Sequence, residues 1–284
     1  MDKKIEWREH LAGEAEAISR TAAELGMHPL AVEDCLRRNQ RAKFDDYETH
    51  QLLVWFVCLP SQVVELEFVV FPGTLVLVAS APAPRGGSWR EFLGISGEAP
   101  DVHHLLYQAL DFALDMTEAR AKSLFSDITK FEDALFKDKA EPLRLIGLKR
   151  ALAGMGFATA SLGSVVSQWQ RFLNPKDDLR WRMRDLFDHC ERIQQALVFH
   201  QTQVAATMDM YWGLTSKRTN DQIKKLTMVA SVSVPLTVWA SFWGMNFQSI
   251  PFDKTWLLFA ALALMALSVA AVAWYLKARG YLDE

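Results

Sequence analysis

Two runs without a charged residue, 226–247 and 256–276, lie near the end of the chain and restrict its fold more than anything before them. Each is longer than the roughly 20 apolar residues that a helix needs to cross the hydrocarbon core of a bilayer. One such run alone could be the core helix of a large soluble protein. Two in tandem, joined only by 248–255, predict a membrane hairpin. Lys217, Arg218, Lys224 and Lys225 precede the first run, and Lys277 and Arg279 follow the second. The connecting loop holds one Lys and one Asp, so the basic excess at the outer ends places both termini in the cytoplasm and the loop outside. Trp239, Trp243, Trp256, Trp274 and Tyr275 lie mostly toward the helix ends, as interfacial aromatics do.

The chain is 50% hydrophobic, but that surplus sits almost entirely after Leu226. A net charge of -3 argues against a nucleic-acid partner, which would call for a strongly basic surface. The cysteines, Cys35, Cys58 and Cys190, are odd in number and far apart, so they read as reduced thiols rather than a disulfide framework or a zinc site. The charged start of the chain has no apolar segment of the secretory type. No Ser/His/Asp or Cys/His set suggests catalysis, no phosphate-binding Gly-rich loop occurs, and the chain is expected not to be an enzyme.

Ahead of the spans, 1–49 reads as short helices, 14–25 ending at Gly26 and 29–39 starting at Pro29. Three strand-like runs follow, 51–59, 63–71 and 74–79, with Pro72-Gly73 as the turn between the last two. From Val102 the pattern changes to long helices. Leu105, Leu106, Ala109, Leu110, Ala113 and Leu114 mark an apolar face; a second helix, 143–172, is interrupted at Gly154 and Gly156. A third runs from about 177 to 247, on the order of 100 Å at 1.5 Å per residue. The expected fold is therefore an α+β cytoplasmic domain, a long-helix funnel and two C-terminal transmembrane helices. Its divisions are 1–100 (α/β domain), 101–225 (helical stalk), 226–247 (first span), 248–255 (external loop), 256–276 (second span) and 277–284 (cytoplasmic tail). Two spans cannot enclose a pore, so conduction requires a homo-oligomer around a symmetry axis.

The first span ends in Gly244-Met245-Asn246, nine residues after Pro235-Leu236-Thr237. That tripeptide, placed between two C-terminal spans and after a long charged helix, resembles the signature of the CorA metal-ion transporters. The likeness extends to His28-Pro29-Leu30-Ala31-Val32-Glu33-Asp34 with Gln40, Arg41 and Lys43, to Asp185-Leu186-Phe187-Asp188-His189, and to 220–227. It implies a homopentameric Mg²⁺ channel in the cell (inner) membrane, with Gly244, Met245 and Asn246 forming the selectivity ring. The residue types suit that task. Mg²⁺ gives up its waters reluctantly, so neutral oxygen acceptors that bind the hydrated ion weakly let it both enter and leave. Asn246 is equally able to cap the helix.

On a wheel of about 100° per residue, Asn220, Thr227, Ser231, Thr237 and Ser241 share a stripe about 120° wide, and Ser233 falls outside it. They are the candidate pore-lining residues, although Ser and Thr also bond to their own helix or pack against neighbours. Ile223, Leu226 and Val234 are candidates for a hydrophobic gate; the resemblance puts Ile223 and Leu226 at the constriction, where apolar rings block ions by dewetting. It also implies that Asp34, Asp209 and Asp185 hold regulatory Mg²⁺, so that Mg²⁺ is both cargo and regulator and no organic cofactor is needed. Singly, each is equally a solvated surface charge. Asp185 and His189, at i and i+4, are within reach of one metal or simply form helix surface. His103 and His104, adjacent on a helix, read as structural. The loop departs from the family pattern: after Asn246 it is neutral until Asp253, which sits beside Lys254. That weakens the attraction for cations and leaves open a Zn²⁺, Co²⁺ or Ni²⁺ transporter of the ZntB type, or a poorly conducting interaction protein.

Overall fold

The computed structural model describes residues 5–37, 41–95, 99–137, 141–173, 178–245 and 254–279. They fall into two compact units, Met1–Met208 and Asp209–Glu284. The first is built on a five-stranded mixed sheet in the order β1-β5-β4-β3-β2. Strands β3 (Gln51–Cys58), β4 (Val63–Phe71) and β5 (Thr74–Ala79) form an antiparallel meander. Phe71 pairs with Thr74 across the Pro72-Gly73 turn, where Gly73 takes φ 88°, a left-handed conformation that costs glycine little. The inner strands are buried at almost every position, so both faces must be covered.

The N-terminal segment differs from the helical reading at both ends. β1 (Glu6–Leu11) pairs in parallel with β5, and β2 (Lys43–Asp46) pairs with β3. Between them lie α1 (Ala15–Leu25), closed by left-handed Gly26, and α2 (Pro29–Leu36), capped by His28. Both unforeseen strands are sheet edges, and charged side chains on an edge discourage pairing with other chains. The β1 residue Glu9 does more. Its carboxylate accepts from Ser88 Oγ at 2.8 Å and from the backbone N–H groups of Trp89 and Arg90, holding the start of α3 (Trp89–Phe92).

Helix α4 (Val102–Phe136), started by the Asp101 cap, lays the expected apolar face against the sheet; all six residues of that pattern are buried. Thr117, fully buried on the same face, accepts from the Cys58 N–H at 3.2 Å and donates to the Ala113 carbonyl at 2.9 Å. Thr117→Val keeps the shape but removes the acceptor. It should destabilise the first unit by about 1–3 kcal/mol, the cost of an unsatisfied buried group. Thermal unfolding of the detergent-solubilised protein reads this directly, and an unchanged midpoint would refute it.

The second long helix does break, but not at its glycines. α5 (Pro142–Thr159) runs through Gly154 and Gly156, and α6 (Leu162–Gln170) begins after Ala160 and Ser161. Helix α7 (Leu179–Gly244) then continues for 66 residues. Within the first unit it buries Met183, Leu186, Cys190, Ile193 and Leu197 at three- and four-residue spacing and Val204 two turns on, joined by Thr159–Gln194 and Gln201–Leu152 hydrogen bonds. Its last buried residue is Thr207. In the second unit the remainder of α7 and α8 (Thr255–Ala278) form helices long and apolar enough to span a bilayer, and almost none of their most apolar stretches is buried within the chain.

Candidate ion pathway and metal-binding residues

Along the second-unit part of α7, apolar side chains stand in the open: Ile223 is 56% exposed, Leu226 71% and Val234 60%. A surface of that kind needs lipid or another subunit against it. Asn220, Thr227, Thr237 and Ser241 are exposed and Ser231 is half-exposed. Three of the hydroxyls bond back along the helix. Thr227 donates to Ile223 at 2.8 Å, Ser231 to Thr227 at 2.7 Å and Thr237 to Ser233 at 2.9 Å, each to a carbonyl. The alternative of self-bonding is thus realised, yet it is compatible with a wet pathway. A hydroxyl has one proton and two lone pairs. Once the proton is committed to the helix, the oxygen keeps its lone pairs as acceptors, the polarity that the waters around a hydrated cation require.

Pro235 sits inside α7. Lacking an N–H, it cannot bond the carbonyl four residues back, that of Ser231, which adds a backbone acceptor beside the Ser231 hydroxyl. The helix ends at Gly244, and the Met245 N–H closes a tighter final turn onto the Phe242 carbonyl at 3.3 Å. Asn246 and the loop to Asp253 lie outside the described residues.

Asp34 is on α2, and its carboxylate is 2.6 Å from the Lys43 ammonium, which also lies 3.0 Å from Asp45. Burial works against the charge on Lys43, but hydrogen bonds to Asp34 and Asp45 outweigh it and raise its pKa. A cation at Asp34 therefore competes with an ammonium already in place. Beneath α2, Cys35 meets Glu67 of β4, a carboxyl only 4% exposed. Burial pushes the Cys35 thiol up, and pushes Glu67 up to about 8 against the opposing hydrogen bond from Cys35. Asp209 is exposed in the second unit.

Asp185 is exposed on α7 in the first unit, where its charge reaches Asp111 of α4. Burial raises the Asp111 carboxyl, and Asp115 and Asp185 raise it further. One turn beyond Asp185, His189 is buried and its Nε2 lies 3.2 Å from Glu118 Oε2 of α4. Asp115, Glu118 and His189 bring their ligand atoms within 4.8 Å of one another. The i, i+4 spacing of Asp185 and His189 pointed to this stretch of α7, but Asp115 and Glu118 were not foreseen. Their own signal, Asp111, Asp115 and Glu118 on one face of α4, gains meaning only once α7 is packed beside it. His104 is structural, as expected: its N–H and its ring Nδ1 both lie 2.9 Å from the Asp101 cap.

A protein-family model described as "CorA-like Mg2+ transporter protein" matches residues 2–278. The cobalt/magnesium transport protein CorA of Thermotoga maritima is 25% identical over 283 residues, covering 94% of this chain and 80% of that protein. The zinc transport protein ZntB of Yersinia pseudotuberculosis is 26% identical over 183 residues, covering 61% of this chain and 54% of its own length. Among solved structures, the complete CorA magnesium transporter of Methanocaldococcus jannaschii superposes with a TM-score of 0.80 at 17% identity, covering 97% of this chain and 91% of that one. The last likeness establishes the architecture: an N-terminal α/β domain, a long helix and two C-terminal apolar helices.

Proposed function

The chain belongs to the CorA-like Mg²⁺ transporter family, and from that premise we propose that it is a channel-type transporter admitting divalent cations, Mg²⁺ first among them, through a homopentameric pore. One observation carries the reading. A single helix presents an exposed apolar surface and hydroxyl oxygens left with acceptor capacity as it approaches Gly244-Met245-Asn246. In this reading five copies of α7 surround the axis, with Asn220, Thr227, Ser231, Thr237 and Ser241 along the path. Ile223, Leu226 and Val234 narrow it into a hydrophobic gate, and Gly244, Met245 and Asn246 form the entrance that selects the hydrated ion. The protein lies in the cell membrane with both termini cytoplasmic, so the interior-negative potential drives influx.

Asp34, Asp209 and Asp185 are the regulatory carboxylates of this scheme. Internal Mg²⁺ shared between subunits offsets their mutual repulsion and favours the closed assembly, and its depletion opens the pore. At Asp34 the ion displaces the Lys43 ammonium, which sets a floor on the Mg²⁺ concentration sensed there. Mg²⁺ serves as cargo and regulator, and no organic cofactor takes part.

A second reading is transport of Zn²⁺, Co²⁺ or Ni²⁺. The neutral loop before Asp253-Lys254 favours it, as does the likeness to a zinc transport protein. Ion flux into liposomes containing the purified protein separates the two, with Mg²⁺, Co²⁺, Ni²⁺ and Zn²⁺ compared with and without a pH gradient. Mg²⁺ entry that is indifferent to the gradient is the expected result. Zn²⁺ entry that needs the gradient, without Mg²⁺ entry, selects the second reading; absence of any flux makes the protein an interaction scaffold.

A further inference from the structure

We propose that Asp115 and Glu118 of α4 and His189 of α7 form a binding site, inside a single protomer, for a divalent transition-metal ion of the Zn²⁺, Co²⁺ or Ni²⁺ kind. Carboxylates alone on a helix surface are ordinary solvated charges. The imidazole sets this group apart. His189 is only 9% exposed, and it is fixed by a stretch of α7 whose neighbours Leu186, Cys190 and Ile193 are all buried. It points Nε2 across the seam at a carboxylate 71 residues earlier in the chain.

The geometry suits a small ion. The three ligand atoms already lie within 4.8 Å of one another. Bonds of about 2.0–2.2 Å to a tetrahedral ion place ligands about 3.5 Å apart, so rotation of the exposed Asp115 side chain closes the set. Glu118 divides its oxygens: Oε1 takes the Lys122 ammonium at 2.8 Å, and Oε2 faces His189 at 3.2 Å. The first contact orients the carboxylate and the second marks where the ion enters. Three protein ligands leave at least one position for water.

The electrostatics favour a cation at the same place. Asp111, Asp115 and Glu118 follow one another along a face of α4, and Asp185 stands one turn before His189 on α7. Of the nearby cations among the described residues, Arg182 is bonded to Asp178 at 2.9 Å while its charge still reaches Asp111, and Lys122 pairs with Glu118. A dication between the carboxylates relieves the repulsion. The imidazole then decides which one: Mg²⁺ prefers oxygen ligands and keeps its waters, whereas imidazole suits zinc, nickel and their neighbours. The site therefore distinguishes transition metals from Mg²⁺ whether or not the membrane helices conduct.

The test is metal binding by the full-length, tag-free protein in detergent, with Zn²⁺ followed by calorimetry and Co²⁺ by its visible absorption, and Mg²⁺ run in parallel. Wild type is compared with Asp115→Asn, Glu118→Gln and His189→Gln, each checked for helical content. Wild type should bind one Zn²⁺ per chain that Mg²⁺ does not displace. Each variant should weaken that ion by at least the roughly 10–100-fold seen when even an outer-shell partner of a metal is lost. His189→Gln should also change the Co²⁺ spectrum. Asp115 is exposed, so Asp115→Asn leaves the packing intact and decides the matter if His189→Gln does not fold. Equal Zn²⁺ stoichiometry and affinity in wild type and the folded variants would overturn the proposal, as would a Co²⁺ spectrum indifferent to His189.

Discussion

Replacing Asn246 with alanine should lower Mg²⁺ entry into liposomes at least ~10-fold without dissolving the assembly. Mg²⁺ retains its waters, so in the proposed filter the entrance acts on hydrogen atoms of the hydration shell, for which a neutral amide oxygen is an acceptor. Removing one such acceptor costs about 1 kcal/mol. In the proposed ring, symmetry repeats the loss in every subunit, and ~1.4 kcal/mol already corresponds to a factor of ten. The described part of the helix stops just short of Asn246: α7 ends at Gly244, Met245 turns back onto Phe242, and Ser241 is exposed one turn earlier. The competing role for Asn246 is a helix cap. A lost cap would lower thermal stability or oligomer size, so the flux assay is paired with size-exclusion chromatography and an unfolding curve. Flux unchanged from wild type in a protein of unchanged size would sink the filter assignment.

The parts of this molecule that could be read from its residues are those where the environment imposes a long, regular constraint. A bilayer demands uncharged runs, and both appear as helices whose apolar stretches are almost wholly unburied within the chain. A long helix on a sheet needs a continuous apolar face, and Leu105 through Leu114 announced it. The edge strands were illegible because their chemistry is that of an edge. In β1, Glu6, Arg8, Glu9 and His10 leave no apolar alternation to detect; in β2, Lys43, Asp45 and Asp46 do the same. The break between α5 and α6 falls at Ala160 and Ser161 because an α-helix tolerates isolated glycines when its face is packed. The Asp115–Glu118–His189 group depends on which helices pack together, and spacing along one helix carries no such information. Strand β4 misleads in another way. Val64, Glu65, Leu66 and Glu67 alternate as though the glutamates faced water, yet Glu65 is 7% and Glu67 4% exposed.

That burial makes Glu67→Gln the substitution with the largest expected effect on stability, and a pH-dependent one. Among the described residues, Glu67 Oε2 has no hydrogen-bond partner. Burial is the main cause of its pKa of about 8; the Cys35 hydrogen bond opposes the shift, Glu65 and Asp34 add to it, and Lys43 lowers it. In the unfolded chain a glutamate titrates near ~4.3. Below that pH both states hold the proton and folding carries no penalty from this group. As the pH rises from there, the unfolded chain releases the proton while the folded one keeps it. Stability then falls by about 1.4 kcal/mol per unit, until the folded carboxyl itself ionises at about 8. Glutamine never ionises, and its amide oxygen still accepts from the Cys35 thiol. The variant should therefore match wild type near pH 4.5, gain steadily through neutrality, and level off above pH ~8 at an advantage on the order of a few kcal/mol. Unfolding midpoints of the two proteins across that range provide the measurement. A difference that does not vary with pH would mean that Glu67 is ionised or solvated in the folded state throughout. The gain would also carry a cost of interest, because Cys35 adjoins Asp34 on α2. A carboxyl that charges beneath that helix changes the field at Asp34, and a glutamine holds it constant.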